Sequence, residues 1–546
     1  MGRSAILGDR MSDSATLLER EIGRRRTFAI ISHPDAGKTT LTEKLLLYGG
    51  AIREAGAVRA RRAQRHATSD WLEIERQRGI SVSSSVMTFD WGGFRVNILD
   101  TPGHHDFSED TYRTLAAADS AVMLIDAAKG VEPQTRKLFH VCRMRGIPIF
   151  TFVNKMDREG RDPLDLMAEI ESVLGIHATP VNWPIGSGRE FRGVYDRIGS
   201  RVLLFSGGEH GTEQVDETVV AGTPEDPAVR AAVGGFADEI GEALALLDGA
   251  GERLDLARVR AGALTPMFFG SALTNFGVRP FLESFLAIAP APGPRPSDAG
   301  PIDPARPFSG FVFKIQANLD PDHRDRVAFV RLCSGRFERG SNTIHVPSQR
   351  SIRLSNSTLL MAQDRQQVDE AYAGDVVGLF DPGIFRIGDT LSDEGTFRFD
   401  GIPMFSPEHF AQVSVAEVMR RKALHKGLEQ LTQEGLVQLF RDPNAVAAAP
   451  ILGAVGPLQF EVLQYRMRSE YDVELKLTKL AYTVARWPVS GFDPDMFRES
   501  ISARLVEDRE GRPVILFDKP WSLDWVQRRF PDLLLAEAAP DHRVAG

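Results

Sequence analysis

Gly37-Lys38-Thr39-Thr40 places a loop glycine, an ammonium group and two hydroxyls in consecutive positions. That set of groups suits a phosphate cradle. Gly37 lets the backbone curl so that successive N–H groups point inward, and a helix starting at this point adds partial positive charge. Lys38 is placed to reach the β- and γ-phosphates of a nucleotide, and the Thr39 hydroxyl to hold Mg²⁺. The preceding residues Ser32, His33, Pro34, Asp35 and Ala36, together with Thr40, would complete the phosphate-binding loop. Ser32 stands where the pattern G-x-x-x-x-G-K-[ST] has its first glycine, so support has to come from other loops.

Three further stretches supply it. In Asp100-Thr101-Pro102-Gly103-His104, Asp100 can hold Mg²⁺ through water and the Gly103 N–H can donate to a γ-phosphate. In Asn154-Lys155-Met156-Asp157, Asp157 offers two carboxylate oxygens to the N1–H and 2-amino group of guanine. Adenine lacks both donors, so ATP would leave that acid unpaired, and the site selects GTP or GDP. Asn154 and Lys155 are expected to pack the base and brace the cradle loop, and Ser271-Ala272 to give a backbone N–H to the guanine oxygen. One such loop means little; the ordered set points to a guanine nucleotide.

The elements that must position these loops are legible as hydrophobic patterns. Phe28 to Ile31 reads as a strand, followed by a helix through Leu47. Ser84–Trp91 and Phe94–Asp100 form a hairpin over Gly92-Gly93. Asp106–Ala118 is expected to be helical, Ala121–Asp126 a buried strand, Glu132–Arg145 helical, and Pro148–Val153 and Thr265–Phe269 strands. Alternating helices and continuous apolar strands predict a parallel sheet covered on both faces, with every candidate loop at a strand's carboxyl end. The long interval after Asp157 predicts an inserted subdomain at about 181–262. The expected division is a flexible or helical leader over 1–26, a nucleotide domain over 27–290, and a proline-rich linker over 291–307. A β-barrel domain over 308–400 and an α+β domain over 401–546 follow. In the last, Lys422–Phe440 reads as helix and Val473–Leu477 as strand.

Bulk properties narrow the class. At 546 residues, with 42% hydrophobic and 25% charged content, the chain suits about three globular domains. No apolar run approaches the ~20 residues that span a bilayer, and the N-terminus lacks a secretion signal. Cys142 and Cys333 sit in apolar runs and are expected to be buried free thiols of a cytoplasmic protein. A net charge of −9 argues against DNA binding and against wrapping nucleic acid without specificity. It leaves room for a local RNA contact at Arg59, Arg61, Arg62 and Arg65, although such a run also suits a solvated loop.

The order of the four loops resembles the P-loop GTPases, and His104 after D-x-x-G resembles the translational branch. There the resemblance implies that His104 takes the water-positioning role and is the catalytic residue, with His105 serving solvent or the helix start. Arg78-Gly79-Ile80-Ser81 resembles a switch sequence whose hydroxyl ligates Mg²⁺; Ser81 keeps the oxygen of the usual threonine. Asp35 matches an acid that in related factors helps hold a monovalent cation. The stretches SHPDAGKTT, HATSDWLEIERQRGIS, ANLDPDHRDRVAFVRL, DEAYAGDVVGL and GAVGPLQFEVLQYRMRSEYDVE closely resemble the bacterial class-2 peptide chain release factors. That similarity runs from about Arg24 to Leu535. It implies an α/β P-loop GTPase domain with an inserted subdomain, a β-barrel domain and an α+β third domain. It also implies a monomeric, cytoplasmic GTP hydrolase, stimulated by the ribosome, that promotes dissociation of class-1 release factors. The alternatives are an elongation-factor-G-like ribosomal GTPase, for which the chain after the barrel is too short, and a GTPase subunit of a metabolic enzyme.

Overall fold

Strand β1 (Arg25–Ser32) is buried along its whole length and forms the middle of the sheet that carries the candidate loops. In this computed structural model the described residues are 16–50, 84–206, 215–317, 326–354, 357–361, 364–400, 402, 405–415, 420–443, 449–497 and 503–538. Ser81, with Arg78-Gly79-Ile80 before it, and the Arg59, Arg61, Arg62 and Arg65 patch lie outside the described residues. The leader is helical over 16–23, and β1 then begins at Arg25, ahead of the apolar run. Two arginines extend the strand because each finds partners: Arg25 pairs with Asp375 at 2.9 Å, and Arg26 donates to the Leu286 carbonyl at 3.0 Å.

Helix α1 (Lys38–Tyr48) leaves the loop after β1, and a hairpin of β2 (Ser85–Trp91) and β3 (Phe94–Asp100) follows. Gly92 and Gly93 both carry positive φ, 55° and 85°, as a two-residue hairpin turn of this hand requires. The turn His105–Phe107 leads into α2 (Ser108–Ala116), so the expected helix opens with a tighter 3₁₀ turn. Next come β4 (Ser120–Asp126), α3 (Pro133–Met144), β5 (Ile149–Asn154), α4 (Pro163–Leu174) and β6 (His177–Pro180).

Strands β7 (Asn182–Ile185), β8 (Gly193–Asp196), β9 (Arg201–Ser206) and β10 (Asp216–Ala221) form a separate antiparallel sheet. They are followed by α5 (Pro227–Val233), α6 (Phe236–Ala250) and α7 (Leu256–Arg260). The chain then returns to the first sheet as β11 (Leu264–Phe269) and closes with α8 (Val278–Ile288). The seven-stranded order is β2-β3-β1-β4-β5-β11-β6, parallel except for β2. Alternate residues of β1 explain why both faces are covered: Ala29 and Ile31 pack with Leu115 and Leu138, whereas Phe28 and Ile30 pack with Leu41 and Phe285.

The segment expected to act as a linker is bound along its length. Ile302 is buried, Arg295 and Ile302 exchange backbone hydrogen bonds, and Ser297 bridges to Phe399. Beyond it, β12 (Ser309–Ala317) and β13 (Arg326–Ser334) lead an eight-stranded antiparallel β-barrel sheet. The barrel sits against the amino-terminal end of β1, and its β12 also passes beside Phe107 and α2. Thr27 Oγ1 donates to the Gly374 carbonyl at 2.6 Å and Asn97 Nδ2 to Asp375 Oδ1 at 3.3 Å.

A second eight-stranded sheet with α9 (Arg421–Gln433), α10 (Pro457–Tyr471) and α11 (Pro520–Arg529) completes the chain. One expectation is corrected here. The helix foreseen over Lys422–Phe440 stops at Gln433, and Gln438–Arg441 is a strand. Gly435, at φ 77°, turns the chain, and Leu439 and Phe440 are spent on β pairing with Leu452 and Ile451. Likewise the foreseen strand Val473–Leu477 is shifted to Leu475–Leu480. Both cysteines are buried free thiols, and burial pushes the thiol of Cys142 up to about 12 and that of Cys333 to about 11.

Candidate functional site

Four loops leave the carboxyl ends of β3, β1, β5 and β11, with β4 between β1 and β5, and three side chains tie them together. Asn154, the last residue of β5, donates from Nδ2 to the Ala36 carbonyl at 2.8 Å and accepts the Ala272 N–H on Oδ1 at 2.8 Å. One amide thus fixes the cradle against the loop after β11. Lys155 adopts φ 68°, which aims its ammonium back to the Asp35 carbonyl at 2.5 Å and to Asp126 Oδ2 at 2.8 Å. On the other side, Thr101 Oγ1 donates to the Ile30 carbonyl at 2.7 Å and holds the Asp100–His104 loop to β1.

The cradle itself explains why Ser32 is tolerated. Ser32 still belongs to β1, paired with Leu124, and the left-handed backbone falls at Asp35 (φ 64°) and Gly37 (φ 98°) instead. A glycine is needed where φ is positive or backbones approach closely, and Ser32 meets neither condition. His33 lies 3.4 Å from Glu132, Pro34 is half-buried beside Gly103, and Asp35 is exposed. Thr39 and Thr40 are half-buried on the first turn of α1. Lys38 is buried, with its ammonium 2.6 Å from Asp100 Oδ1, so the lysine and the acid of two separate motifs share one site.

At the base-binding end, Ser271 Oγ donates to Asp157 Oδ1 at 2.6 Å. This orients the acid, whose second oxygen lies 4.0 Å from Arg158 Nε. Met156 is buried and packs the loop to the inserted sheet's side, where the Gly188 N–H donates to its carbonyl at 2.9 Å. Ala272 is fully buried. His104 is a third exposed, with Nδ1 3.3 Å from Asp106, and Pro102 accepts from Thr111 Oγ1 at 3.3 Å. His105 opens the 3₁₀ turn. Thus the sequence-derived candidates among the described residues lie at one end of the sheet, on the last residues of its strands, in the loops that follow, or on the first turn of α1; Ser81 lies outside the described residues.

Two acids escaped the sequence reading. Asp126 ends β4 and accepts from Lys155 and from the Ala128 N–H at 2.9 Å. Burial alone would raise its carboxyl, but these hydrogen bonds outweigh it and hold the pKa below the ordinary value. An acid closing a wholly apolar strand was the available signal. Asp106 is the other; its position two residues after His104 was the clue.

Models of known families cover nearly the whole chain. Residues 23–291 match the elongation factor Tu GTP binding domain, 307–394 match elongation factor G domain 2, and 399–527 match the class II release factor C-terminal domain. The "peptide chain release factor 3" of Symbiobacterium thermophilum is 59% identical over 525 residues, 96% of this chain and 99% of that one. The chain belongs to the peptide chain release factor 3 family. Relatives of the same name from Gloeobacter violaceus and Gloeothece citriformis are 55% and 53% identical. These alignments cover 96% of this chain, and 99% and 97% of the relatives, respectively. A crystal structure of a Thermus thermophilus protein superposes with a TM-score of 0.66 at 24% identity, covering 89% of this chain and 71% of that one. It shares the fold. As a member of the release factor 3 family, with an elongation-factor-type GTP-binding domain, the chain is a translational GTPase of termination. None of its described helices is long and apolar enough to cross a membrane.

Proposed function

We propose that this protein hydrolyses GTP to GDP and phosphate when it meets a terminating ribosome, and that the cycle releases class-1 release factors. The supporting observation is the convergence of the four loops through Asn154, Lys155 and Thr101. In this reading Asp157, oriented by Ser271, reads guanine, with Asn154, Lys155, Met156 and Ala272 shaping the base pocket. Ser32–Thr40 cradles the phosphates, and Lys38 exchanges Asp100 for phosphate oxygens. Gly103 senses the γ-phosphate, beside Thr101 and Pro102, and His104 orients the attacking water.

The residues present fit Mg²⁺: a Thr39 hydroxyl at a helix start and the Asp100 carboxylate are hard oxygen donors. No cluster of three or more His, Cys, Asp or Glu able to hold a metal occurs among the described residues. That suits an ion held jointly with substrate phosphates, where it would neutralise developing charge. Ser81 is proposed as its second hydroxyl ligand. The protein acts in the cytoplasm as a monomer, built of units over 27–290, 308–400 and 401–546.

The test is GTP hydrolysis by the full chain with and without ribosomes carrying a bound class-1 factor, with factor dissociation read in parallel. Slow intrinsic turnover, strong ribosomal stimulation and coupled dissociation are expected. His104→Ala should keep GTP affinity and lose most stimulated turnover; full turnover in that variant overturns the role given to His104.

A further inference from the structure

His104 is held by a residue that reaches into another part of the chain. The Asp106 N–H lies 3.3 Å from His104 Nδ1, and Asp106 Oδ1 lies 3.3 Å from the same nitrogen. In a neutral imidazole Nδ1 accepts the N–H; in an imidazolium Nδ1–H donates to the carboxylate. A neutral ring protonated at Nδ1 can donate to that carboxylate as well; in each case Asp106 engages Nδ1, and Nε2 is the ring nitrogen that faces away.

The other carboxylate oxygen of Asp106 accepts the backbone N–H of Leu458 at 2.7 Å, across 352 positions. Leu458 lies in the first turn of α10, where unpaired N–H groups and the helix dipole favour an anion. Gln459 Oε1 braces the same turn by accepting from Val455 and Gly456 at 2.7 and 3.1 Å. The fit leaves no space: a Cβ on Gly456 would stand 2.1 Å from Asp106 Cγ. Phe107, next in sequence, is buried with Leu458 and Val462. The turn that carries His104 therefore lies clamped on the start of α10.

We propose that Asp106 is the positioning residue for His104 and that the start of α10 holds Asp106 in place, so that seating of the third unit sets the histidine for hydrolysis. The proposal rests on the role given to His104 above. Misplacing a reacting group by about an ångström can cost about 10²-fold in rate without changing substrate affinity.

The experiment measures ribosome-stimulated turnover of the full chain, with GTP affinity and the ribosome concentration for half-maximal rate read separately. Asp106→Ala should lower kcat by about 10²-fold with both affinities nearly unchanged. Asp106→Asn, which restores a side-chain acceptor for Leu458, should recover most of that loss, the backbone N–H to His104 being common to both variants. Gly456→Ala should lower kcat in the same way from the far side of the contact. Added to Asp106→Ala it should cost less than it does alone, because the two nearest clashing atoms, Cγ at 2.1 Å and Oδ1 at 2.4 Å, are gone and only Cβ at 2.6 Å remains. If Gly456→Ala does not fold, Gln459→Ala loosens the same turn and takes its place. The proposal is overturned if Asp106→Ala and Gly456→Ala keep wild-type kcat, or if their losses multiply. His104→Ala run alongside separates the failures. Full turnover there sinks the role of His104, whereas an inactive His104→Ala beside normal Asp106 and Gly456 variants sinks only the clamp.

Discussion

A Cβ built on Gly37 would lie 2.4 Å from Nδ2 of Asn154. The glycine of the phosphate cradle and the asparagine of the base loop are thus one contact, made possible by an absent side chain. Gly37 also sits at φ 98°, a conformation costly for any residue with a Cβ. Gly37→Ala would break the Asn154 hydrogen bond to Ala36 and strain the turn together. GTP affinity should fall by about 10²-fold, given about 3 kcal/mol for those two effects. Calorimetric titration with GTP checks it, with circular dichroism showing the fold retained; affinity within threefold of wild type would refute the coupling.

The strand-end loops were legible because their residues have few other uses: a lysine after glycine, or an acid closing Asn-Lys-Met-Asp, sits poorly in a generic turn. The hairpin at Gly92-Gly93 was equally plain, since both positions need positive φ. What stayed hidden depends on partners far along the chain. Arg25 and Arg26 extend β1 because Asp375 pairs with the first and the Leu286 carbonyl accepts from the second, and a local apolar count cannot see that. Helix α9 stops early because Leu439 and Phe440 pair with a strand. Asp106 gains its meaning from Leu458, in a different unit of the fold.

Base recognition is tested at Asp157. Ser271 holds one carboxylate oxygen, so an amide in its place would keep an acceptor there or turn its NH₂ toward the base. Asp157→Asn should lose guanine preference by about 10²-fold or more, as sites built to hydrogen-bond a substrate do when the match is removed. Xanthosine nucleotides, with a 2-oxo group in place of the amine, should gain. Competition binding of GTP against xanthosine triphosphate decides it, and an unchanged order would reject the contact.

Asp126 gives a pH-dependent signature. Its folded-state pKa is lowered, so its contribution to stability is fully present above the unfolded value of about 3.9 and fades as pH falls through the folded value. Asp126→Asn should therefore melt about 3 °C below wild type near pH 6, from about 1–2 kcal/mol of lost charge-assisted hydrogen bonding. That gap should close as the pH drops below about 4. Scanning calorimetry across this range checks the sign; a gap that widens in acid would show that Lys155 does not rely on this carboxylate.

The seat between the first sheet and the barrel is held by Asp119, which receives two arginines from different segments. Arg295 of the proline-rich stretch pairs with Oδ1 at 2.9 Å, and Arg331 of β13 pairs with Oδ2 at 2.6 Å. Arg331 is 1% exposed, so its charge has no access to water if the acid is removed. Breaking a buried pair by deleting one partner costs about 3–5 kcal/mol, because the remaining ion stays desolvated. Asp119→Ala should then lower the melting temperature by several degrees and loosen the barrel from the nucleotide-binding unit. Limited proteolysis should cut near the proline-rich stretch in this variant and not in wild type. Asp119→Ala combined with Arg331→Met should recover part of the loss, since an apolar chain of similar length fills the space without a stranded charge. If the single variant melts as wild type does, or the double melts lower still, the two arginines do not depend on Asp119 for their burial.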